Sequence, residues 1–183
     1  SYAFSDFWSR KPKWTHWFYR GVSYLIAPFS SCVFNNANTI PVYHDTRLTT
    51  TFKRTITALE DGSNVIIFPE CYEPYNHIVN QFQVRFIDIA KLYYKRTGKE
   101  LNFVPVYIAP NLKKMYLGKP IQFSAESPIE QERTRICNGL MEEITEIAVK
   151  LPKHRVVPYA NIAKKDYPLN ITNEVSDDEK TDG

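Results

Sequence analysis

Glu70 follows directly on the apolar run Val65-Ile66-Ile67-Phe68-Pro69. A carboxylate at the end of a buried strand is placed to hold a polar group in a site. It serves equally well as a helix cap or as the partner of an arginine. Histidine is the side chain that most easily takes a proton from a hydroxyl near neutral pH, and the chain has four. His44 and His77 fall on loops that face strand ends. His16 lies among aromatic residues, which suits packing or an interfacial position. His154, between Lys153 and Arg155, reads as a surface residue. Arg47 lies one helical turn beyond His44. Asp6 fits the N-terminal residue of a helix starting at Phe7, where its charge favours the dipole. Cys71, beside Glu70 and six residues before His77, invites a thiol-nucleophile reading. No spacing rule supports that pair, and a small residue there is explained by packing.

The elements that must position these groups alternate in type. Residues 22–34 read as a short helix with a kink or break near Pro28, and 39–43 as a strand. Residues 46–60 form an amphipathic helix with Leu48, Phe52, Ile56 and Leu59 on one face, stopped by Asp61-Gly62-Ser63. Residues 64–68 read as a buried strand and 70–79 as a polar, aromatic loop. A helical period through Phe82, Phe86, Ile89, Ala90 and Tyr93 ends at Thr97-Gly98. Residues 101–109 and 115–123 are strands, the second broken at Gly118-Lys119-Pro120. The clearest helix is 128–151, with Ile129, Ile136, Leu140, Ile144, Ile147 and Leu151 as its buried stripe. Strand-helix-strand units imply right-handed crossovers, and therefore an α/β fold with a mixed, mostly parallel sheet flanked by helices. Ligands in such sheets bind where strand ends meet loops.

At 183 residues the chain makes one domain with a real core. The expected organisation is an α/β domain over 1–151, an extended segment over 152–173 packed on it, and a solvated, disordered acidic tail over 174–183. That tail carries five acids and one lysine, so the formal charge of +3 hides a body of +7. The basic residues are not gathered into one run, which argues against nucleic acid as a partner. Six scattered glycines exclude a glycine-rich phosphate loop. The three cysteines lack metal or redox spacing. No apolar run reaches the length of a membrane span. All three tryptophans, Trp8, Trp14 and Trp17, lie among Arg10, Lys11, Lys13 and Arg20. Such mixtures favour the headgroup layer of a bilayer, so peripheral membrane contact is expected.

Three segments, Ile40-Pro41-Val42, Phe68-Pro69-Glu70 and Val104-Pro105-Val106, resemble in order and spacing the second, third and fourth motifs of the glycerophospholipid (1-acylglycerol-phosphate) acyltransferases. The resemblance covers about residues 1–123. It departs at polar positions: Cys71-Tyr72-Glu73 replaces Gly-Thr-Arg, and His44 stands where the family has arginine. The family's first motif is His-x4-Asp. Asp6 lies at a suitable distance to be its acid, and the position five before it is Ser1, so either the motif carries extra residues with its histidine just upstream of Ser1, or the histidine is absent.

The resemblance implies acyl transfer from an acyl thioester, acyl-CoA or acyl carrier protein, to the hydroxyl of a lysophospholipid in phospholipid biosynthesis. The upstream histidine, oriented by Asp6, would act as base. Glu70 and His44 would hold the acceptor, with no metal or bound cofactor; Arg47, one helical turn along, would serve in place of the family's arginine by inference from this chain rather than from the resemblance. The expected location is the cytoplasmic side of a membrane, peripheral, with an anchor upstream of Ser1 as one arrangement. The alternative is an inactive protein of the same fold that binds lipid or a membrane surface.

Overall fold

The computed structural model describes residues 16–36, 38–42, 47–75, 78–159 and 162–171. Asp6, His44, His77, the aromatic-basic stretch before residue 16 and the acidic tail lie outside the described residues. The chain divides into two compact units, one ending at Arg54 and the other beginning at Thr55.

In the first unit, helix α1 (His16–Asn36) is longer than its periodicity predicts and runs through Pro28. The missing proline N–H removes one intrahelical bond there. The Asn36 amide closes the last turn by donating to the Cys32 carbonyl at 2.8 Å. Trp17, Tyr24 and Phe29 are each more than 70% exposed. Asn38 turns the chain in the left-handed region (φ 50°), which asparagine tolerates. The expected strand over 39–43 belongs to no ladder among its described residues. The Thr51 hydroxyl donates to the Pro41 carbonyl at 2.7 Å and ties the segment to helix α2 (Leu48–Glu60). That helix runs from the first unit into the second and ends at the predicted stop. Gly62 adopts φ 82°, and the Ser63 N–H donates back to the Ala58 carbonyl at 2.9 Å.

The second unit is built on α4 (Ile129–Lys150), which packs against α3 (Asp88–Thr97) and against strands on its inner face. Its start matches expectation: Pro128 is the N-cap, and Glu130 and Glu132 lie in the first turn, where the dipole favours acids. The buried stripe holds Ile136, Cys137, Leu140, Ile144 and Ala148, and it also takes in Glu132. The Glu132 carboxylate accepts from the Ser124 N–H at 2.8 Å and from Arg135 at 2.7 and 2.8 Å. Burial without these donors would be costly. Arg133 grips Asp88 through two bonds of 2.8 Å, joining the start of α3 to α4.

The strands form three two-stranded antiparallel sheets: β1 (Glu70–Tyr75) with β2 (Asn80–Phe82), β3 (Asn102–Phe103) with β6 (Ile121–Gln122), and β4 (Val106–Ala109) with β5 (Lys114–Leu117). The last two pairs are halves of one interrupted hairpin. Pro105 breaks one arm and Gly118-Lys119-Pro120 the other, and the Gly118 N–H bridges the gap to the Pro105 carbonyl at 2.9 Å. The fold is therefore mixed α/β, and every ladder among the described residues is antiparallel.

Three local expectations are corrected. The helical period read from Phe82 begins later: Phe82 ends β2, and a 3-10 turn over Val84–Ile87 leads into α3. Residues 70–79 were expected as a loop, but Glu70–Tyr75 form β1. Pro74 is tolerated because β1 pairs on one side and its register shifts between Glu70 and Tyr75. Residues 64–68 were expected as a buried strand. They lie outside any ladder, with Ile66 77% and Phe68 81% exposed.

Part of the segment after α4 packs back on the helix end. Asn170 is fully buried, and its side-chain amide donates to the Ala148 and Leu151 carbonyls at 2.7 and 3.1 Å. Its Oδ1 accepts from the His154 N–H at 2.8 Å. One side chain thus satisfies carbonyls at the C-terminus of α4 and fixes the returning chain.

Candidate functional site

The residue that sequence points to most strongly, Glu70, opens β1 opposite Phe82. Just before it, the Pro69 carbonyl accepts from the Gln83 N–H at 2.8 Å, which locks the entry to the strand. The Glu70 carboxylate is partly buried, and Oε2 accepts from the Asn80 N–H at 3.3 Å. Desolvation pushes its pKa above the usual 4.5, and the Asn80 bond offsets part of that rise. A carboxylate under these conditions gains from any further donor that reaches it. The exposed apolar side chains of Ile66, Ile67 and Phe68 lead straight into it.

The hairpin around Glu70 is held by side chains as well as by its ladder. Asn80 is 2% exposed, and its amide donates to the Cys71 carbonyl at 2.6 Å. The Cys71 thiol donates to the Gln81 carbonyl at 2.9 Å, which gives this cysteine a structural task. Asn80 was missed from sequence. Nothing local marks it, since its burial comes from pairing with β1.

Arg47 belongs to the first unit. It is exposed, and its carbonyl accepts from the Thr50 N–H at 2.8 Å in the turn that starts α2. Glu70 belongs to the second unit. Asp6 and His44 lie outside the described residues.

His154 is not the surface residue its charged neighbours imply. It is 5% exposed. Nδ1 lies 2.7 Å from the Pro152 carbonyl, and Nε2 lies 2.6 Å from the Tyr107 hydroxyl. A carbonyl only accepts, so Nδ1 carries the proton, and in the neutral imidazole Nε2 then accepts from tyrosine. With both nitrogens engaged in the core, His154 is a structural residue. The available signal was a period of two: Lys153, Arg155 and Val157 are exposed, while His154 and Val156 are buried.

An open groove of about 400 Å³ runs along α4, lined by Asn138, Met141, Glu142, Thr145 and Glu146. It includes none of the residues singled out from sequence. Among the described residues, no three of His, Cys, Asp and Glu are grouped to hold a metal ion. No described helix is long and apolar enough to cross a membrane. The chain matches no protein-family model, no curated protein and no solved structure.

Proposed function

We propose that this chain is an acyltransferase working at a membrane surface, moving an acyl group from an acyl thioester to the free hydroxyl of a lysophospholipid of the lysophosphatidate kind. The observation that carries the reading is the arrangement at Glu70. An exposed apolar run ends in a desolvated carboxylate, so one short stretch offers both halves of an amphipathic acceptor a place. The ordered resemblance of Ile40-Pro41-Val42, Phe68-Pro69-Glu70 and Val104-Pro105-Val106 to the glycerophospholipid acyltransferases supports the chemistry. In this reading Asp6 orients the base, Glu70 holds the polar head, and His44 and Arg47 serve the phosphate. The exposed Trp17, Phe18, Tyr24 and Phe29 of α1 supply interfacial contact on the membrane that contains the acceptor.

The finer fold goes with this reading. It is a mixed, mostly parallel sheet flanked by helices. In support, the apolar segment 64–68 lies outside any described ladder, with Ile66 and Phe68 exposed.

A second reading, a lipid-binding protein without the chemistry, is favoured by one specific observation. The position where the family's third motif has glycine is occupied by Cys71, which is committed to holding β1 against β2.

Release of free CoA from acyl-CoA and lysophosphatidate tests both. It is measured on this chain and on the same chain carrying whatever its gene encodes before Ser1. The enzyme reading expects release, with Glu70→Gln lowering kcat/KM by about tenfold or more and Asp6→Ala abolishing it. Release indifferent to Asp6→Ala removes the dyad. Binding to lysophosphatidate vesicles with no CoA release establishes the second reading.

A further inference from the structure

We propose that the outer face of the β4–β5 hairpin is a docking surface for an anionic lipid bilayer, an inference that rests on the membrane-surface part of the reading above and adds a contact in the second unit. The register pairs Val106 with Leu117 and Ile108 with Met115, so these four side chains share one face. Tyr107, Tyr116 and Ala109 occupy the other face and pack with the core. A two-stranded antiparallel pair with one face on a core normally turns polar side chains to water. Here the outward positions are all apolar, with Ile108 50%, Met115 64% and Leu117 70% exposed.

Size and charge select the occupant. Strands of four residues are about 13 Å long. A patch of that length and two strands wide falls well short of the roughly 800 Å² per partner that a stable protein interface buries. It suits shallow entry into the headgroup-acyl boundary, provided cations accompany it. Lys113 provides one at the tip, and Lys114, which the register sets opposite Ala109 on the other face, is exposed at the same end of the hairpin. Lys113 sits at φ 51°, a left-handed position that glycine or asparagine takes at least cost. The lysine there holds positive charge at the tip despite the strain. Leu112 packs against the core, so the tip is anchored from below. The opposite end is different. The Lys119 N–H donates to Glu143, and Lys119 lies within electrostatic reach of Glu146. The hairpin therefore presents its Lys113-Lys114 end to anionic headgroups, with Ile108 and Met115 beside it in the apolar layer.

Co-sedimentation of the full chain with vesicles tests this, using phosphatidylcholine alone and an equal mixture of phosphatidylcholine and phosphatidylglycerol, with no substrate present. The wild type is expected to bind the mixed vesicles and not the neutral ones. Met115→Ser with Leu117→Ser, and separately Lys113→Glu with Lys114→Glu, should each lower the bound fraction about tenfold or more with unchanged urea midpoints. Should the apolar pair fail to fold, the exposed lysine pair still decides. Binding unchanged in both double variants overturns the proposal. If Trp17→Ser with Phe29→Ser then reduces binding, the membrane reading survives without the hairpin. No binding by the wild type overturns both. A lipid-free oligomer that the hairpin variants dissociate makes this face a protein interface, which also overturns the proposal.

Discussion

Tyr107 and His154, 47 residues apart in sequence, meet in the core through a 2.6 Å hydrogen bond between the phenol and Nε2. Strand β4 supplies the tyrosine, and the segment returning from α4 supplies the histidine. The bond therefore joins the interrupted hairpin to the last described part of the chain. Its direction follows from the Pro152 carbonyl, which fixes the proton on Nδ1.

Tyr107→Phe keeps the ring and leaves Nε2 without its donor inside the core. The expected loss is about 1–3 kcal/mol, read as a lower urea midpoint at constant slope. His154→Phe should be destabilising by a similar amount. A double-mutant cycle should return a coupling of about 1 kcal/mol. Strictly additive losses would mean that the two groups do not act as a pair.

Glu132 makes stability depend on acid in a defined direction. The Arg135 hydrogen bonds hold its carboxyl below the ordinary 4.5, with help from the Ser124 N–H and against the cost of burial. A depressed folded-state pKa supplies stability above 4.5, and that stability is lost as pH falls through the folded value. Glu132→Gln should flatten the acid limb of a stability-pH curve. Near neutrality it should cost about 1–2 kcal/mol, a modest figure because Arg135 is half exposed and screened. An acid limb equally steep in the variant would count against this assignment.

Glu70 carries the opposite sign. Its pKa is raised by desolvation, so the folded state binds the proton more tightly than the unfolded chain. Stability falls as pH climbs from 4.5 through the folded value. Glu70→Gln is therefore expected to melt higher than the wild type near neutral pH, and the two curves should converge below 4.5. A variant less stable than the wild type at neutral pH would show that the Asn80 bond outweighs the desolvation.

Two glycines should respond differently to a methyl group. A Cβ on Gly118 would stand 2.6 Å from Glu143 Cγ and 2.8 Å from the rigid Pro105 ring. Gly118→Ala should cost about 1–3 kcal/mol. In α4, a Cβ on Gly139 meets the terminal methyl of Ile121 at 2.7 Å. That methyl can rotate, and alanine gains about 1 kcal/mol of helix propensity. Gly139→Ala should fall near neutral or stabilising. Thermal melts of both variants check the contrast.

Helices α2 and α4 were legible because a 3.6-residue period survives in Ile56 and in Ile136, Leu140 and Ile144, each with chemical stop or start signals. The break at Gly118-Lys119-Pro120 was legible for the same local reason. What escaped was decided by distant partners. Glu132 lies four residues before Ile136, on the apolar stripe itself, yet an acid in a first turn reads as a dipole partner. His154 is hidden behind two charged neighbours that point the other way. Around Glu70, the carboxylate was legible from the apolar run before it. Asn80 was not, because only the β1–β2 pairing buries it. Strand direction was the hardest to read: alternation marks a strand but does not name its neighbour.

The position of Asn170 bears on the order in which the molecule is completed. A chain emerging residue by residue exposes the whole of α4 before this asparagine exists to accept the His154 N–H and cover the carbonyls of Ala148 and Leu151. Until then the helix end and the Tyr107 pocket are open to water. The second unit should therefore close only after synthesis has passed residue 170, making this asparagine a gatekeeper of maturation and of resistance to proteases.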